Sequence, residues 1–217
     1  MSSSPRPSPP GRPKDPEKRA AILEAAIRLF PARGYDGVSM DAIAQAAGVS
    51  KLTVYSHFED KEALFSAAVT CCCEQILPHQ VFEPEPGQNV KDSLTAIGRG
   101  FLDLVMDERS VTLHRILIAQ AAQDHHLAEV FFAAGPQRTL QEMASFLRQA
   151  HQAGALHVPE PNRSAEHFFC LLKGVRHMRI LIGLCDVPGA REREAHVADV
   201  VELFLRAHAP SASRSAA

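Results

Sequence analysis

The chain has 217 residues, of which 46% are apolar and 22% charged, the composition of a globular protein with one or two modest cores. No run of about 18 apolar residues exists to span a bilayer, and five cysteines, three of them adjacent, make no disulfide framework. The net charge of −2 hides an asymmetry: residues 1–34 hold seven Arg or Lys against three Asp or Glu, and residues 71–217 hold fourteen against seventeen, so only the N-terminal end suits a polyanion.

Residues 1–14 carry five prolines and four serines and read as a disordered basic arm. They contain no apolar stretch of the secretory kind, so the cytoplasm is expected. Asp15 then offers a cap, Pro16 suits a first helical position, and Ile22, Ala26, Leu29 and Phe30 form a helical stripe ending near Gly34. Pro31 lies inside that helix, where it removes one hydrogen bond, and an irregular last turn is expected.

Ser39 caps a short helix through Ala47 with Ile43 and Ala46 inward, and Gly48 makes the turn that follows. Ser50 caps a helix over 51–57, and Asp60 caps a longer one whose stripe is Phe65, Ala68, Val69, Cys72 and Ile76. Beyond VFEPEPGQ only helical periods occur: Leu94 to Val105, Leu113 to Gln120, Leu140 to Ala150, Ser164 to Leu184, and Val197 to Leu205. With no alternating strand pattern, the expected fold is all-α. An N-terminal helix-turn-helix domain over 15–59 would precede a helical domain over 60–208 and a disordered tail over 209–217.

Two helices of about two turns joined by a glycine turn cannot stand alone, and the second presents Lys51, Leu52, Tyr55 and Ser56 outward while Val49, Val54 and Phe58 face in. A lysine, an apolar side chain and hydroxyls on one exposed face suit base edges and methyl groups in the major groove, and Thr53 and His57 can reach phosphates. The bland alternative is a solvated helix in a bundle.

The segments GRPKDPEKRAAILEAAIRLF and GYDGVSMDAIAQAAGVSKLTVYSHFEDKEALF resemble the DNA-binding domain of TetR/AcrR-type transcriptional regulators over about residues 11–70, with similarity to the AefR-like branch. The resemblance implies a homodimer that binds a double-stranded DNA operator and a small-molecule effector. Lys51, Leu52 and Tyr55 would read bases or their flanking backbone; Ser39, Thr53, His57 and Lys61 would grip phosphates; Arg12 and Lys14 would form a minor-groove arm. Two positions depart from the family pattern: Asp41 stands where some members carry a basic residue, and Pro31 interrupts the first helix.

In the C-terminal part, Phe101, His114, Phe131, Met143, Phe146 and His177 are candidates for a largely apolar effector pocket, although core packing is the commoner fate of such residues. Phe168, Leu172, Val175, Val197, Val201 and Phe204 are candidates for a symmetric helical dimer interface. Cys71, Cys72 and Cys73 raise a thiol-based redox sensor as the alternative function, but successive helical residues fan out by about 100° and cannot share a face. No His or Cys pair has metal-ligand spacing and no catalytic motif is present, so neither a metal, nor another cofactor, nor an enzymatic activity is expected.

Overall fold

The computed structural model describes residues 15–83, 87–121 and 125–210. The arm over 1–14, with Arg12 and Lys14, and positions 211–217 of the expected tail lie outside the described residues. Among the described residues there are ten α-helices, one short 3₁₀ turn and no strand.

Helix α1 (Pro16–Arg33) starts where the Asp15 carboxylate accepts hydrogen bonds from the Glu17 and Lys18 amides, and it continues through Pro31 to Arg33. Pro31 sits close enough to the end that one lost amide donor does not break the helix. Gly34, at φ 71°, then turns the chain while its amide donates to the Phe30 carbonyl. Helix α2 (Met40–Ala46) is capped by Ser39 and α3 (Lys51–His57) by Ser50, with Gly48 between them at φ 66°. On α2 the inward residues are Met40, Ile43 and Ala44; Ala46 is exposed, contrary to the sequence expectation, because at about 100° per residue it lies on the side of the helix away from Ala44. Asp60 caps α4 (Lys61–Ile76) through the Ala63 amide.

Between α4 and the next helix the chain makes a 3₁₀ turn, His79–Phe82, which buries Phe82 at the start of the VFEPEPGQ stretch. Helices α5 (Val90–Met106), α6 (Glu108–Gln120), α7 (His125–Ala134), α8 (Pro136–Gln152), α9 (Pro161–Leu181) and α10 (Ala190–Ala207) follow. Helix α9 is broken at Gly174, whose φ of 51° and ψ of −167° are left-handed backbone that favours glycine.

Two apolar cores result. The first joins Ile22 and Phe30 of α1, Ile43 of α2, Val54 of α3, and Leu64 and Phe65 of α4 with Leu117 and Leu127 from the later helices. Phe30 and Phe65 meet edge to face at 5.1 Å, and Tyr35 packs on both rings. The second core joins α5, α8, α9 and α10 through Leu94, Ile97, Met143, Leu147, Phe168 and Phe204. Helix α4 belongs to the first core and also packs against α5 and α7, and α1 packs against α6, so these two long helices link the short ones to the rest of the molecule.

Candidate functional site

Helix α3 is held from behind by two fully committed side chains, Val54 and Phe58, both buried. The opposite face is correspondingly free: Leu52 is 80% exposed and Tyr55 45% exposed, so an apolar side chain and a phenol stand in water with no intramolecular reason to be there. Lys51 is exposed as well, but its Nζ donates to Asp41 Oδ2 at 2.9 Å, an ion pair between α2 and α3 that raises the lysine pKa.

The proposed phosphate contacts divide. Ser39 Oγ accepts from the Ala42 amide at 3.1 Å, which leaves its own proton available. Thr53 is half-buried and its hydroxyl bonds to Ser50 Oγ at 2.8 Å, so it serves the helix cap first. His57 is half-buried at the end of α3, and its Nδ1 is buried without a hydrogen-bond partner among the described residues. Lys61 does not fit the expectation. Its Nζ donates to the Tyr35 carbonyl at 3.0 Å and lies 4.1 Å from the centre of the Tyr35 ring, because the loop between α1 and α2 folds over the start of α4. It is an internal tie rather than a free cation.

The C-terminal helices enclose a cavity of about 630 Å³. Four of the residues expected there line it, namely Phe101, His114, Phe131 and His177. Met143 and Phe146 do not; both are buried in the second core, in which α8 packs against α9. Helix α4 contributes Val69, Cys72 and Cys73 to the wall, which the sequence marks as an apolar stripe and a cysteine run rather than as pocket residues, and α9 contributes Glu166, Phe169, Cys170 and Lys173, none of which stood out in the sequence. Their signal was there as a stripe at i, i+3, i+4 and i+7, masked because charged positions are ordinarily read as solvated.

His114 and His177 meet edge to face at 6.0 Å. Burial holds the His114 imidazole below its ordinary range, against a hydrogen bond to the Ser110 carbonyl at 2.7 Å. Burial, with His114 and Lys173 nearby, lowers His177 to about 4. Both rings are therefore neutral at pH 7. Burial also pushes Cys72 up and Cys73 to about 12, the direction opposite to a reactive thiolate, so the redox alternative gains no support.

Five of the six expected dimer residues, Phe168, Leu172, Val197, Val201 and Phe204, are buried within the protomer's own second core and have no surface to offer a partner. Only Val175 is outward, at 77% exposure. The apolar side chains that do reach the surface of α9 and α10 are Leu171, Val175, Met178 and Leu203, with Ile182 just past the end of α9.

Besides the ion pair of Arg138 on α8 with Glu74 on α4, two polar ties join the cavity walls to the N-terminal helices. His126 of α7 bonds Glu62 in the first turn of α4 at 2.7 Å, and Thr70 of α4 donates to the Ala134 carbonyl at 3.0 Å. A third spans the cavity domain itself, where the Arg115 guanidinium donates to the Ile180 and Leu181 carbonyls at the end of α9.

The family model described as "Bacterial regulatory proteins, tetR family" matches residues 22–68, and that of the "AefR-like transcriptional repressor, C-terminal domain" matches residues 92–210. The Bacillus subtilis HTH-type transcriptional regulator YdeS is 30% identical over 206 residues, which cover 94% of this chain and 97% of that one. Among solved structures, a TetR-family regulator from Mesorhizobium loti superimposes with a TM-score of 0.75 at 30% identity, covering 91% of this chain and 98% of that chain. The flavonoid-responsive regulator FrrA does so with a TM-score of 0.70 at 32% identity, covering 91% and 100%. An all-helical chain with an outward α3 face, matched along nearly its whole length by such proteins, belongs to the TetR family of transcriptional regulators.

Proposed function

We propose that the protein is a ligand-responsive repressor in the cytoplasm, which binds a palindromic operator as a homodimer and leaves it when a small molecule fills the cavity. The observation that carries this reading is the exposure of Leu52 and Tyr55 on a helix whose other face is locked by Val54 and Phe58. Such a face is preorganised for a groove: Lys51, Leu52 and Tyr55 read bases, and Ser39, Thr53 and His57 hold phosphates. Arg12 and Lys14 reach the minor groove from the arm.

One α3 touches too few base pairs for specificity, so two copies must act at a spacing of about 34 Å. The exposed stripe Leu171, Val175, Met178 and Ile182, with Leu203 beside it, supports a symmetric pairing through α9 and α10. Helix α4 begins three residues after Phe58 and ends in the cavity wall. A ligand that prefers one setting of α4 therefore prefers one spacing of the two α3 helices, and the population shifts off the operator by that difference in affinity. FrrA, named for its response to flavonoids, supports control by a small molecule.

A gel shift with the operator tests the reading. Tyr55→Ala is expected to abolish the shifted band while the dimer persists in size-exclusion chromatography. Unchanged affinity would remove α3 as the reading face.

A further inference from the structure

The cavity is apolar for most of its wall, with Phe101, Leu104, Phe131 and Phe169 on three different helices and Phe101 and Phe169 stacked at 4.2 Å. Against this background its charged groups stand out. Helix α9 contributes Glu166 and Lys173, seven residues apart within the regular part of the helix and hence separated by about 10 Å along its axis. They cannot neutralise each other, and among the described residues neither forms an ion pair.

The two are not equivalent. Glu166 is exposed at the rim, where water screens it, whereas Lys173 is half-buried. Lys173 lines the same cavity as His114 and His177, and its ammonium is close enough to help hold both imidazoles neutral. A cation partly withdrawn from water and without a counterion gains more from a ligand anion than a solvated carboxylate gains from a ligand cation.

We propose that the cavity takes an aromatic anion, its carboxylate or acidic phenol set on Lys173 and its rings among Phe101, Phe131 and Phe169. His114, which donates through Nδ1 to the Ser110 carbonyl, keeps Nε2 as an acceptor for a hydroxyl elsewhere on the ligand. The volume of about 630 Å³ accommodates two or three fused or linked rings. This inference rests on the reading of the cavity as the effector site and names what that site selects.

Isothermal titration of the full chain tests it with five probes: 2-naphthoate and its methyl ester, 7-hydroxyflavone and 7-methoxyflavone, and 2-(aminomethyl)naphthalene. Wild type is expected to bind at least one acidic probe about tenfold more tightly than its methylated counterpart, a carboxylate ligand being indicated by the first pair and a phenol by the second. Lys173→Gln is expected to abolish that preference, with the methylated probes bound as before, and Glu166→Gln to leave it in place. Equal binding of acid and methylated forms, tighter binding of the amine, or no binding of any probe overturns the proposal. Operator gel shifts run in parallel separate the two levels: intact operator binding with a failed titration rejects only the ligand class, and absent operator binding rejects the regulator reading whatever the titration gives.

Discussion

Lys51 of α3 donates to Asp41 of α2 across 2.9 Å, so a residue assigned to base reading is held by a carboxylate on the helix beside it. Both side chains are more than half exposed, at 57% and 62%, so the pair is screened and easily exchanged for a base or a phosphate. Asp41 also sets a negative charge where DNA brings more. Asp41→Asn is therefore expected to tighten operator binding a few-fold, measured by fluorescence anisotropy at two salt concentrations, with some loss of discrimination between sequences. Weaker binding would mean that Asp41 positions Lys51 on the DNA.

Lys61 offers the reverse case. Its contacts with the Tyr35 carbonyl and ring are internal, so Lys61→Met is expected to cost about 1 kcal/mol of stability in urea denaturation. The dependence of operator affinity on salt should stay as in wild type. A shallower salt dependence with unchanged stability would restore Lys61 as a phosphate contact.

The two sides of α9 separate core from interface. Phe168 is fully buried, and Phe168→Ala is expected to destabilise the protomer by about 3–5 kcal/mol. Val175 is outward, and Val175→Asp is expected to leave folding intact while shifting the chain toward monomer in analytical ultracentrifugation. A monomeric wild type, or a dimer insensitive to Val175→Asp, would move the interface elsewhere.

His177 gives stability a defined acid response. Its folded pKa of about 4 lies below the ordinary 6.5, so the folded state binds the proton less well than the unfolded chain. Above pH 6.5 neither form is protonated and the group has no effect; between 6.5 and 4 the unfolded chain takes up the proton and stability falls, by up to about 3 kcal/mol; below 4 the loss levels off. His114, lowered by burial in the same way, adds a loss of the same sign. His177→Gln is expected to flatten the pH dependence of the urea midpoint over this window, and an unchanged profile would show that His177 is solvated.

The N-terminal elements were legible because each is punctuated locally: Asp15, Ser39, Ser50 and Asp60 all cap the helices they precede, and Gly48 makes its turn. Tertiary choices were not legible. Periodicity on α9 marks Phe168, Leu171, Leu172 and Val175 alike as apolar, but adjacent positions differ by about 100°, and only packing against α5 and α10 decides that Leu172 goes in and Leu171 out. The Lys61 contact depends on a carbonyl 26 residues earlier, which no local pattern announces. Helix α7 is hard to read from the sequence because its apolar residues run almost all round it, from Leu127 to Ala134, and give no single stripe. Of the pocket, Phe101, Phe131, His114 and His177 were anticipated, Phe169 was not, and Lys173 and Glu166 look in the sequence like ordinary surface charges.

Two α3 faces that read a palindrome leave their symmetry in the DNA they select. Selection of bound DNA from a random pool by the full chain, followed by affinity measurement for wild type and Leu52→Ala on the enriched sequence, tests this reading most directly. The enriched sequence is expected to be an inverted repeat with half-sites about one helical turn apart, or a multiple of it, with a loss of about 1–3 kcal/mol for Leu52→Ala confined to particular base positions. No enriched sequence, or one without two-fold symmetry that Leu52→Ala binds as well as wild type, would contradict it.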